Sequence, residues 1–212
     1  MEPRGRFITF EGGEGAGKST QVGLLVAWLR AQALPVLATH EPGGSPLAHG
    51  IRSLLLAENS GEAMLPVTEL CLILAARAQH VTTTIRPALG RGVWVVCDRF
   101  SDSTLAYQGA GRGLDSERIA WLGELVTGGL LPDLTLLLDI PTEVGLERCR
   151  QRHATLTRFD REELAFHRRV REGFLRLAER EPRRVRVIDA TQPPATVAQR
   201  IQEELAHVRA RV

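Results

Sequence analysis

Residues 11–20 read EGGEGAGKST and include Lys18, the single lysine of a chain that carries 26 arginines. Gly12, Gly17, Lys18 and Ser19 satisfy the pattern G-x-x-x-x-G-K-[ST]. RFITFE before the stretch has the composition of a strand, and TQVGLLVAWLR after it has the apolar spacing of an amphipathic helix. Small residues let the backbone curl so that successive N–H groups converge on phosphate oxygens at a helix N-terminus. The stretch therefore predicts a phosphate-binding loop in an α/β fold.

Lysine suits this loop because its ammonium is a compact charge on a flexible stem that can bridge phosphate oxygens, whereas arginine presents a planar fork. The residues predicted to bind the nucleotide phosphates are Gly12, Gly13, Glu14, Gly15, Ala16, Gly17, Lys18, Ser19 and Thr20. The alternative interpretation is a glycine-rich turn followed by an ordinary helix that Ser19 or Thr20 caps.

A phosphate-binding loop alone is compatible with a GTPase, an ATPase motor, a small-molecule kinase or a regulatory nucleotide-binding module. A GTPase normally needs a guanine-reading N-K-x-D signature. This chain has no second lysine, and its one asparagine is Asn59. The sequence therefore argues against a GTPase.

The composition describes one globular domain, 1–212, without an obvious macromolecular partner. The chain has 212 residues, 43% of them hydrophobic, and a net charge of +2, so no nucleic acid or membrane is required. Three widely spaced cysteines without metal-ligand spacing indicate a reducing compartment. The N-terminal residues lack a signal-like apolar region, and no run approaches the ~18 apolar residues of a membrane span. We expect a cytoplasmic protein.

Short apolar runs alternate with longer segments of helical spacing, which predicts a five-stranded parallel sheet flanked by helices. The strands are expected at 7–10, 36–39, 93–97, 134–139 and 185–189. The helices are expected at 19–33, 66–85, 116–127, 142–152, 161–179 and 194–208. Glycine and proline mark expected loops at 41–46, 108–113, 128–133 and 191–195.

Asp98 and Arg99 follow the third predicted strand, at the edge where open α/β sheets bind ligands. A polar, glycine-ended segment comes next, which we interpret as a loop. Arg99 could bind a phosphate by bidentate contact, and Asp98, together with Ser19 of the loop, could hold magnesium. A structural salt bridge between Asp98 and Arg99 is the alternative.

Five motifs in this order resemble the thymidylate kinases, which transfer the terminal phosphoryl group of ATP to thymidine monophosphate. They read FEGGEGAGKST, HEPGGSPLAHGIR, AARAQH, DRFSDSTLAYQG and LPDLTLLLDIP. The resemblance extends from Arg6 to about Asp189. It implies a P-loop nucleoside monophosphate kinase fold, ATP and Mg²⁺ as donor and cofactor, and a homodimer.

The resemblance also implies roles for individual side chains around the acceptor. Glu14 would lie near the sugar and the metal, and Tyr107 beside the 2′ carbon of the sugar. Arg52 and Arg99 would hold the acceptor phosphate, and the peptide bond between Glu41 and Pro42 is often cis in this family. The residues that would surround the thymine base are Arg77, Ser103, Thr104 and Gln108. Taken singly, Arg52 and Arg77 could be exposed helix arginines, Tyr107 a core ring and Ser103 a helix cap.

Two positions depart from the family pattern. The stacking aromatic residue that usually precedes AARAQH is replaced by Ile73 and Leu74, so base recognition would depend more on Arg77 and Gln108. The arginine that usually precedes EPGG is replaced by His40, whose charge depends on pH.

The span 148–186 holds 13 arginines. For 168–186 we favour a solvated helix face with salt bridges to Glu162, Glu163, Glu172 and Glu179, over a nucleic-acid-binding stripe. Arg148, Arg150 and Arg152 instead end a helix, and the next residues lack helical spacing, so 148–160 is predicted to form a lid. Because the free positions of the phosphate loop hold no basic residue, Arg150 and Arg152 are expected to serve catalysis with Lys18 and Arg99.

The sequence thus predicts a kinase that phosphorylates thymidine monophosphate with ATP and magnesium in the cytoplasm. A kinase for another nucleoside monophosphate and a nucleotide-binding module without transfer activity are the alternatives. The small-molecule partners are ATP and the monophosphate, with no nucleic acid or membrane.

Overall fold

The computed structural model describes residues 5–57, 62–152, 158–159 and 161–209. Five strands form one sheet in which every neighbouring pair is parallel, with the order β2-β3-β1-β4-β5. The strands are β1 Phe7–Glu11, β2 Val36–His40, β3 Trp94–Asp98, β4 Leu134–Asp139 and β5 Val185–Asp189. The predicted five-stranded parallel sheet is confirmed.

Helices cover both faces of the sheet, which explains why its strands are nearly continuous apolar runs. They are α1 Lys18–Ala31, α2 Pro46–Leu56, α3 Pro66–His80, α4 Arg86–Gly90, α5 Ser101–Thr104, α6 Ser116–Thr127, α7 Thr142–Arg152, α8 Leu164–Arg180 and α9 Pro194–Arg209. On one face, Leu29 and Leu205 pack against Phe10. On the other, Ile85 packs with Phe7. None of the described helices is both apolar and long enough to cross a bilayer.

The region after Asp98 corrects one expectation. We predicted a polar loop and a second loop at 108–113, but α5 is followed directly by a π-helical segment, Leu105–Gly111. Its glycines serve close packing, because a Cβ at Gly111 would lie 2.7 Å from the ring of Phe166 on α8. The glycines that indicate a loop in the sequence therefore allow two helices to approach each other.

The predicted helix 66–85 is longer and less regular than expected. It consists of α3, a π-helical segment Val81–Ile85 and α4, and it ends at Gly90. The π-helical turns place one extra residue in the helix without ending it, so the apolar spacing shifts.

The strand order places three loops at one edge of the sheet. In the parallel registers, Phe10 of β1 lies beside Asp98 of β3, and His40 of β2 lies on the other side of Asp98. The chain therefore delivers residues 11–17, 41–45 and 99–100 to the same edge, where ligands of open α/β sheets bind.

Candidate active site

The predicted phosphate-binding loop joins β1 to α1, and α1 begins at Lys18. Gly17 caps the helix in the left-handed region at φ +88°. Gly15 also has positive φ, at +67°, and a Cβ there would overlap the backbone carbonyl of Gly145 on α7. Only glycine combines this conformation with so close an approach. The loop has the geometry expected of an anion cradle at a helix N-terminus.

Lys18 reaches back across this loop. Its Nζ donates hydrogen bonds to the carbonyl oxygens of Gly12, at 3.0 Å, and Gly13, at 2.8 Å. Burial and the charge of Arg99 lower its pKa, although Glu14 and other nearby carboxylates act in the opposite sense. A bound phosphate would raise the pKa of Lys18 again, because its negative charge would stabilise the ammonium form.

Ser19 and Asp98 meet at the mouth of the site. The hydroxyl of Ser19 donates a hydrogen bond of 2.9 Å to Oδ2 of Asp98. Magnesium is usually held by one or two protein oxygens together with substrate phosphates and water. The described residues contain no group of three or more acidic, His or Cys side chains that could hold a metal alone. The pair fits a magnesium ion carried by a nucleotide.

Glu14, Arg99 and Tyr107 form a triangle beside the loop. Oε1 of Glu14 accepts from Nη2 of Arg99, at 2.9 Å, and from the hydroxyl of Tyr107, at 2.7 Å. The Arg99 guanidinium lies 4.8 Å from the centre of the Tyr107 ring. Burial would raise the pKa of Glu14, but the Arg99 and Lys18 charges and the Tyr107 hydroxyl lower it to about 2. Glu14 is therefore an anion.

Arg99 has a left-handed backbone, with φ +70°. A non-glycine residue there is strained by about 1–3 kcal/mol and must be held by its surroundings. The Arg99 N–H donates to the carbonyl of Phe10, and the next N–H, of Phe100, donates to Oε1 of Glu11 at 2.7 Å. Two anchors on β1 thus keep Arg99 beside the loop.

Arg52 brings a further positive charge into the same cleft. Nη1 donates to the carbonyl of Pro42 at 2.9 Å, and burial and the charge of Arg99 lower the pKa of Arg52. Arg52 and Arg99 therefore repel each other across a space that an anion would fill. The peptide bond between Glu41 and Pro42 is cis, as the resemblance implied.

Arg77 is buried at the other end of the cleft, so it is not an exposed helix arginine. Its Nε donates to Oε2 of Glu41 at 2.7 Å, Nη1 to the Thr104 hydroxyl at 2.9 Å, and Nη2 to the carbonyl of Phe100 at 3.0 Å. His80 holds the second oxygen of Glu41 at 2.9 Å. Glu41 thus positions Arg77 and is itself fixed from both sides.

Ser103 and Gln108 extend the same wall. The Ser103 hydroxyl donates to Oε2 of Glu11 at 2.5 Å, and it accepts from Nη1 of Arg99 at 3.3 Å. The amide nitrogen of Gln108 donates to Oε1 of Glu69 at 2.8 Å. Ser103 is therefore not a helix cap, and each wall residue is held by a buried carboxylate.

These residues line one cleft of about 660 Å³. The predicted residues that line it are Glu14, Gly15, Ala16, Gly17, Lys18, Ser19, Glu41, Arg52, Arg77, Asp98, Arg99, Ser103, Thr104, Tyr107 and Gln108. Gly12 and Gly13 lie in the loop and contact Lys18, and Thr20 is an exposed residue of α1.

Of the two arginines of α7 expected to serve catalysis, Arg150 is not among the described residues that line this cleft. Arg150 is exposed, and its Nη1 lies 3.5 Å from Glu147. Arg148 donates to the carbonyl of Ala190 at 3.1 Å. The side chain of Arg152 and residues 153–157 and 160 lie outside the described residues, so the lid stays a prediction.

Residues 10–201 match a family profile described as Thymidylate kinase. The chain belongs to the thymidylate kinase family. It is 57% identical over 205 residues to a thymidylate kinase of Thermomicrobium roseum, with 97% of this chain and 96% of that protein covered. It is 52% identical over 202 residues to a thymidylate kinase of Magnetococcus marinus, with 95% and 96% covered. A crystal structure of thymidylate kinase from Ehrlichia chaffeensis superposes with a TM-score of 0.77 at 34% identity, covering 96% of this chain and 99% of that one.

The two departures from the thymidylate kinase pattern both concern the cleft. Ile73 lines it, whereas Leu74 packs with Leu70 and Ile119 between α3 and α6. His40 lines it near Arg52, and burial and the Arg52 charge lower its pKa. At neutral pH this histidine is a weaker cation than an arginine would be.

Sequence reasoning missed two residues of this thymidylate kinase site. Phe159 follows the predicted lid arginines, lines the cleft, and lies edge to face with Tyr107 at 6.1 Å between ring centres. Glu69 lies behind Gln108 and is almost fully buried. Phe159 carries no motif, and a glutamate in the first turn of a helix is ordinarily explained by the helix dipole.

Proposed function

We propose that this protein transfers the terminal phosphoryl group of ATP to thymidine monophosphate and so forms the diphosphate needed for dTTP synthesis. The observation that carries the proposal is the cleft itself. Three cations, Lys18, Arg52 and Arg99, meet there beside a phosphate-binding loop, and buried carboxylates hold Arg77 and Gln108 at its far end.

The donor phosphates would bind the loop from Gly12 to Thr20. Lys18 would exchange its two carbonyl partners for phosphate oxygens, since its flexible stem allows the ammonium to turn outward. Ser19 and Asp98 would hold the magnesium ion, which neutralises charge on the transferring group when bound.

The acceptor would lie between the loop and the wall formed by α3 and the Leu105–Gly111 segment. Arg52 and Arg99 would clamp its phosphate, Tyr107 would face the sugar, and Glu14 would hold Arg99 and Tyr107 in place. An oxygen of the acceptor phosphate attacks the terminal phosphorus of ATP in line, and the bond to the bridging oxygen breaks to release ADP. Positioning and charge stabilisation suffice, so no covalent enzyme intermediate is needed.

We further propose a single domain with a lid at 148–160 that closes over the phosphates, so that Arg150 and Arg152 reach the transferring group. The exposed place of Arg150 is compatible with a side chain that engages only on closure. The charge balance and the wide spacing of the three cysteines support a cytoplasmic protein.

The proposal includes a homodimer. Trp121 and Leu125 lie one turn apart on α6 and are 63% and 64% exposed, and α6 packs beside α3, whose Val67 is 58% exposed. Apolar side chains of this size on neighbouring helices are typical of protein interfaces. Sedimentation equilibrium should give twice the chain mass, and Trp121→Glu should give monomers. A monomeric wild-type protein would exclude the dimer.

The test of the function is product analysis with purified protein, ATP, magnesium and thymidine monophosphate. We expect ADP and thymidine diphosphate in equal amounts, and no product when EDTA removes the metal. Lys18→Met should lower turnover by more than tenfold, a barrier change above ~1.4 kcal/mol, without unfolding the protein. Lys18→Arg should restore little, because the planar fork does not fit the bridging position. Full activity of Lys18→Met would show that the loop is not the phosphate site.

A further inference from the structure

Glu69 lies one residue behind the cleft and interacts with three neighbouring side chains. It belongs to the first turn of α3 and is 1% exposed. Its carboxylate accepts hydrogen bonds from Nε2 of Gln108 at 2.8 Å, from Nε and Nη2 of Arg112 at 3.2 Å each, and from Nη2 of Arg158 at 2.6 Å. Among these residues, Gln108 alone lines the cleft.

The two arginines keep Glu69 ionised. Burial would raise its pKa, but the hydrogen bonds from Arg112 and Gln108 outweigh burial and lower it. An ionised carboxylate has acceptor oxygens and no donor. Only the NH₂ group of the Gln108 amide can therefore face Glu69.

This orientation decides what Gln108 presents to a ligand. With its NH₂ group bound to Glu69, the amide leaves its carbonyl oxygen, Oε1, for the cleft. No described residue donates a hydrogen bond to Oε1, and this oxygen is not among the fully buried atoms without a partner. Gln108 thus offers an acceptor at the cleft wall.

Arg77 offers the complementary donors at the same wall. Glu41, Thr104 and Phe100 each take one of its N–H groups, which leaves two of the five guanidinium N–H groups. A donor beside an acceptor matches O4 and N3–H of thymine or uracil. Cytosine carries an amino group and an unprotonated N3 at these positions, so both contacts would be mismatched.

We propose that Glu69 is a positioning residue that determines base selectivity, because it fixes the Gln108 amide with its carbonyl oxygen towards the acceptor base. The inference rests on the proposed function. It assigns the rejection of cytosine to a side chain outside the cleft.

Glu69→Gln tests the assignment, because an amide at this position can donate as well as accept and allows Gln108 to turn over. We expect the ratio of kcat/KM for dTMP over dCMP to fall by about 5- to 150-fold. The ratio for dTMP over dUMP should not change, since uracil presents the same O4 and N3–H. Glu143→Gln removes an exposed carboxylate that pairs with Arg168, and as a matched control it should leave both ratios unchanged.

A dTMP/dCMP ratio that falls by less than about fivefold, or an equal fall in both ratios, would overturn the inference. A second measurement needs no change at Glu69. In ¹H–¹⁵N spectra of the wild-type protein, the side-chain NH₂ pair that disappears in Gln108→Met should exchange slowly with solvent. Exchange as fast as that of exposed glutamines would also overturn the inference. If the wild-type protein fails to phosphorylate dTMP, the proposed function fails instead.

Discussion

Tyr107 is the only tyrosine of the chain, and its ring is fixed on several sides. Arg99 lies over the ring, Phe159, Phe166 and Phe174 meet it edge to face, and its hydroxyl donates to Glu14. A ring packed against the 2′ carbon of the acceptor sugar leaves no space or partner for a ribose hydroxyl.

We predict that Tyr107→Phe keeps the preference for deoxyribose, because the ring stays in place. Tyr107→Ala should relax the preference by about 5- to 150-fold, and it should also destabilise the protein by about 3–5 kcal/mol through the cavity left behind. The measurement is kcat/KM for thymidine monophosphate over its ribose counterpart in the three proteins. If Tyr107→Ala slows both acceptors alike, Tyr107 is a packing residue and sugar selection lies elsewhere.

Glu11 gives a prediction about pH. It is fully buried at the end of β1, where it accepts from Phe100 and Ser103. Burial and the charge of Asp102 raise the pKa of Glu11 from 4.5 to about 8, against the opposing effects of Ser103 and Arg99. Because the folded pKa lies above the unfolded value, the stabilisation is complete below about pH 4.5 and is lost as the pH rises through about 8.

We therefore expect the free energy of unfolding of the wild-type protein to fall between pH 5 and 8 relative to that of Glu11→Gln. The variant keeps an acceptor for the Phe100 N–H and cannot ionise, and its NH₂ group can donate to the Ser103 hydroxyl in place of the hydrogen bond that Ser103 donates to Glu11. Urea unfolding across this range measures the difference, in which the contributions of other groups cancel. Parallel curves for the two proteins would show that Glu11 does not carry the dependence.

Several site residues could be predicted individually, because they belong to motifs with a fixed chemical role. Lys18, Ser19, Asp98 and Arg99 fall in this group, and the structure brings them together. Glu69 and Glu11 could not be predicted as supports of the site. The partner of Glu69 lies 39 residues away in the chain, and that of Glu11 lies 92 residues away. Nothing in the neighbouring sequence distinguishes Glu69 from an ordinary glutamate at the start of a helix, or Glu11 from one at the end of a strand.

At the level of elements, α8 packs closely against the Leu105–Gly111 segment, which carries the cleft residues Tyr107 and Gln108. Gly173 of α8 faces Ala110 of that segment, and a Cβ at Gly173 would lie 2.8 Å from the Cβ of Ala110. Gly23 is also a mid-helix glycine, in α1, but a Cβ there would meet nothing within 4 Å.

The two glycines should respond oppositely to alanine. Gly23→Ala should stabilise the protein by about 0.5–1 kcal/mol through helix propensity alone. Gly173→Ala should destabilise it by about 1–3 kcal/mol, because overpacking outweighs the same propensity gain. Urea unfolding of both variants measures the two changes. Equal stabilisation by both substitutions would show that α8 does not constrain the segment.

A second prediction at this scale concerns α7. Arg150→Ala should lower kcat by about 10³-fold with little change in KM for the acceptor, as expected for a group that engages in the transition state. Arg148→Ala is the control, because Arg148 is bound to the carbonyl of Ala190, and at saturating ATP it should lose less than about tenfold. Unchanged kcat in a variant lacking both Arg150 and Arg152 would exclude the lid arginines from catalysis.

The elements themselves divide into those that local pattern determines and those that packing determines. The strands could be predicted because each is a short, mainly apolar run, and in β1, β3 and β4 most residues are buried in the sheet. The Leu105–Gly111 segment could not, because its glycines and polar residues favour a loop, and only contact with α8 makes a helix favourable. Of the expected salt bridges of 168–186, the one to Glu172 is present, with Arg176, whereas Arg171 pairs with Asp139 and Arg184 with Asp102.

At the scale of the whole molecule, the parallel sheet gathers loops from distant parts of the chain at one edge. The alternation of strands and helices predicted this arrangement, since the carboxyl ends of parallel strands share an edge. The five motifs and their order in the chain then predicted which residues surround the acceptor. The relative positions of Glu14, Arg99 and Tyr107 required the folded structure, because their mutual contacts depend on the backbone of Arg99.

The central claim is that this cleft phosphorylates thymidine monophosphate in preference to other acceptors. The most direct measurement is kcat/KM over a panel of nucleoside monophosphates, with saturating ATP and magnesium, under one set of conditions. The structure predicts higher values for dTMP and dUMP than for dCMP and dAMP, because thymine and uracil present an acceptor and an N–H donor to Arg77 and Gln108, whereas cytosine and adenine present the reverse pair. Preference for a purine or cytidine acceptor, or no turnover on any acceptor, would contradict it.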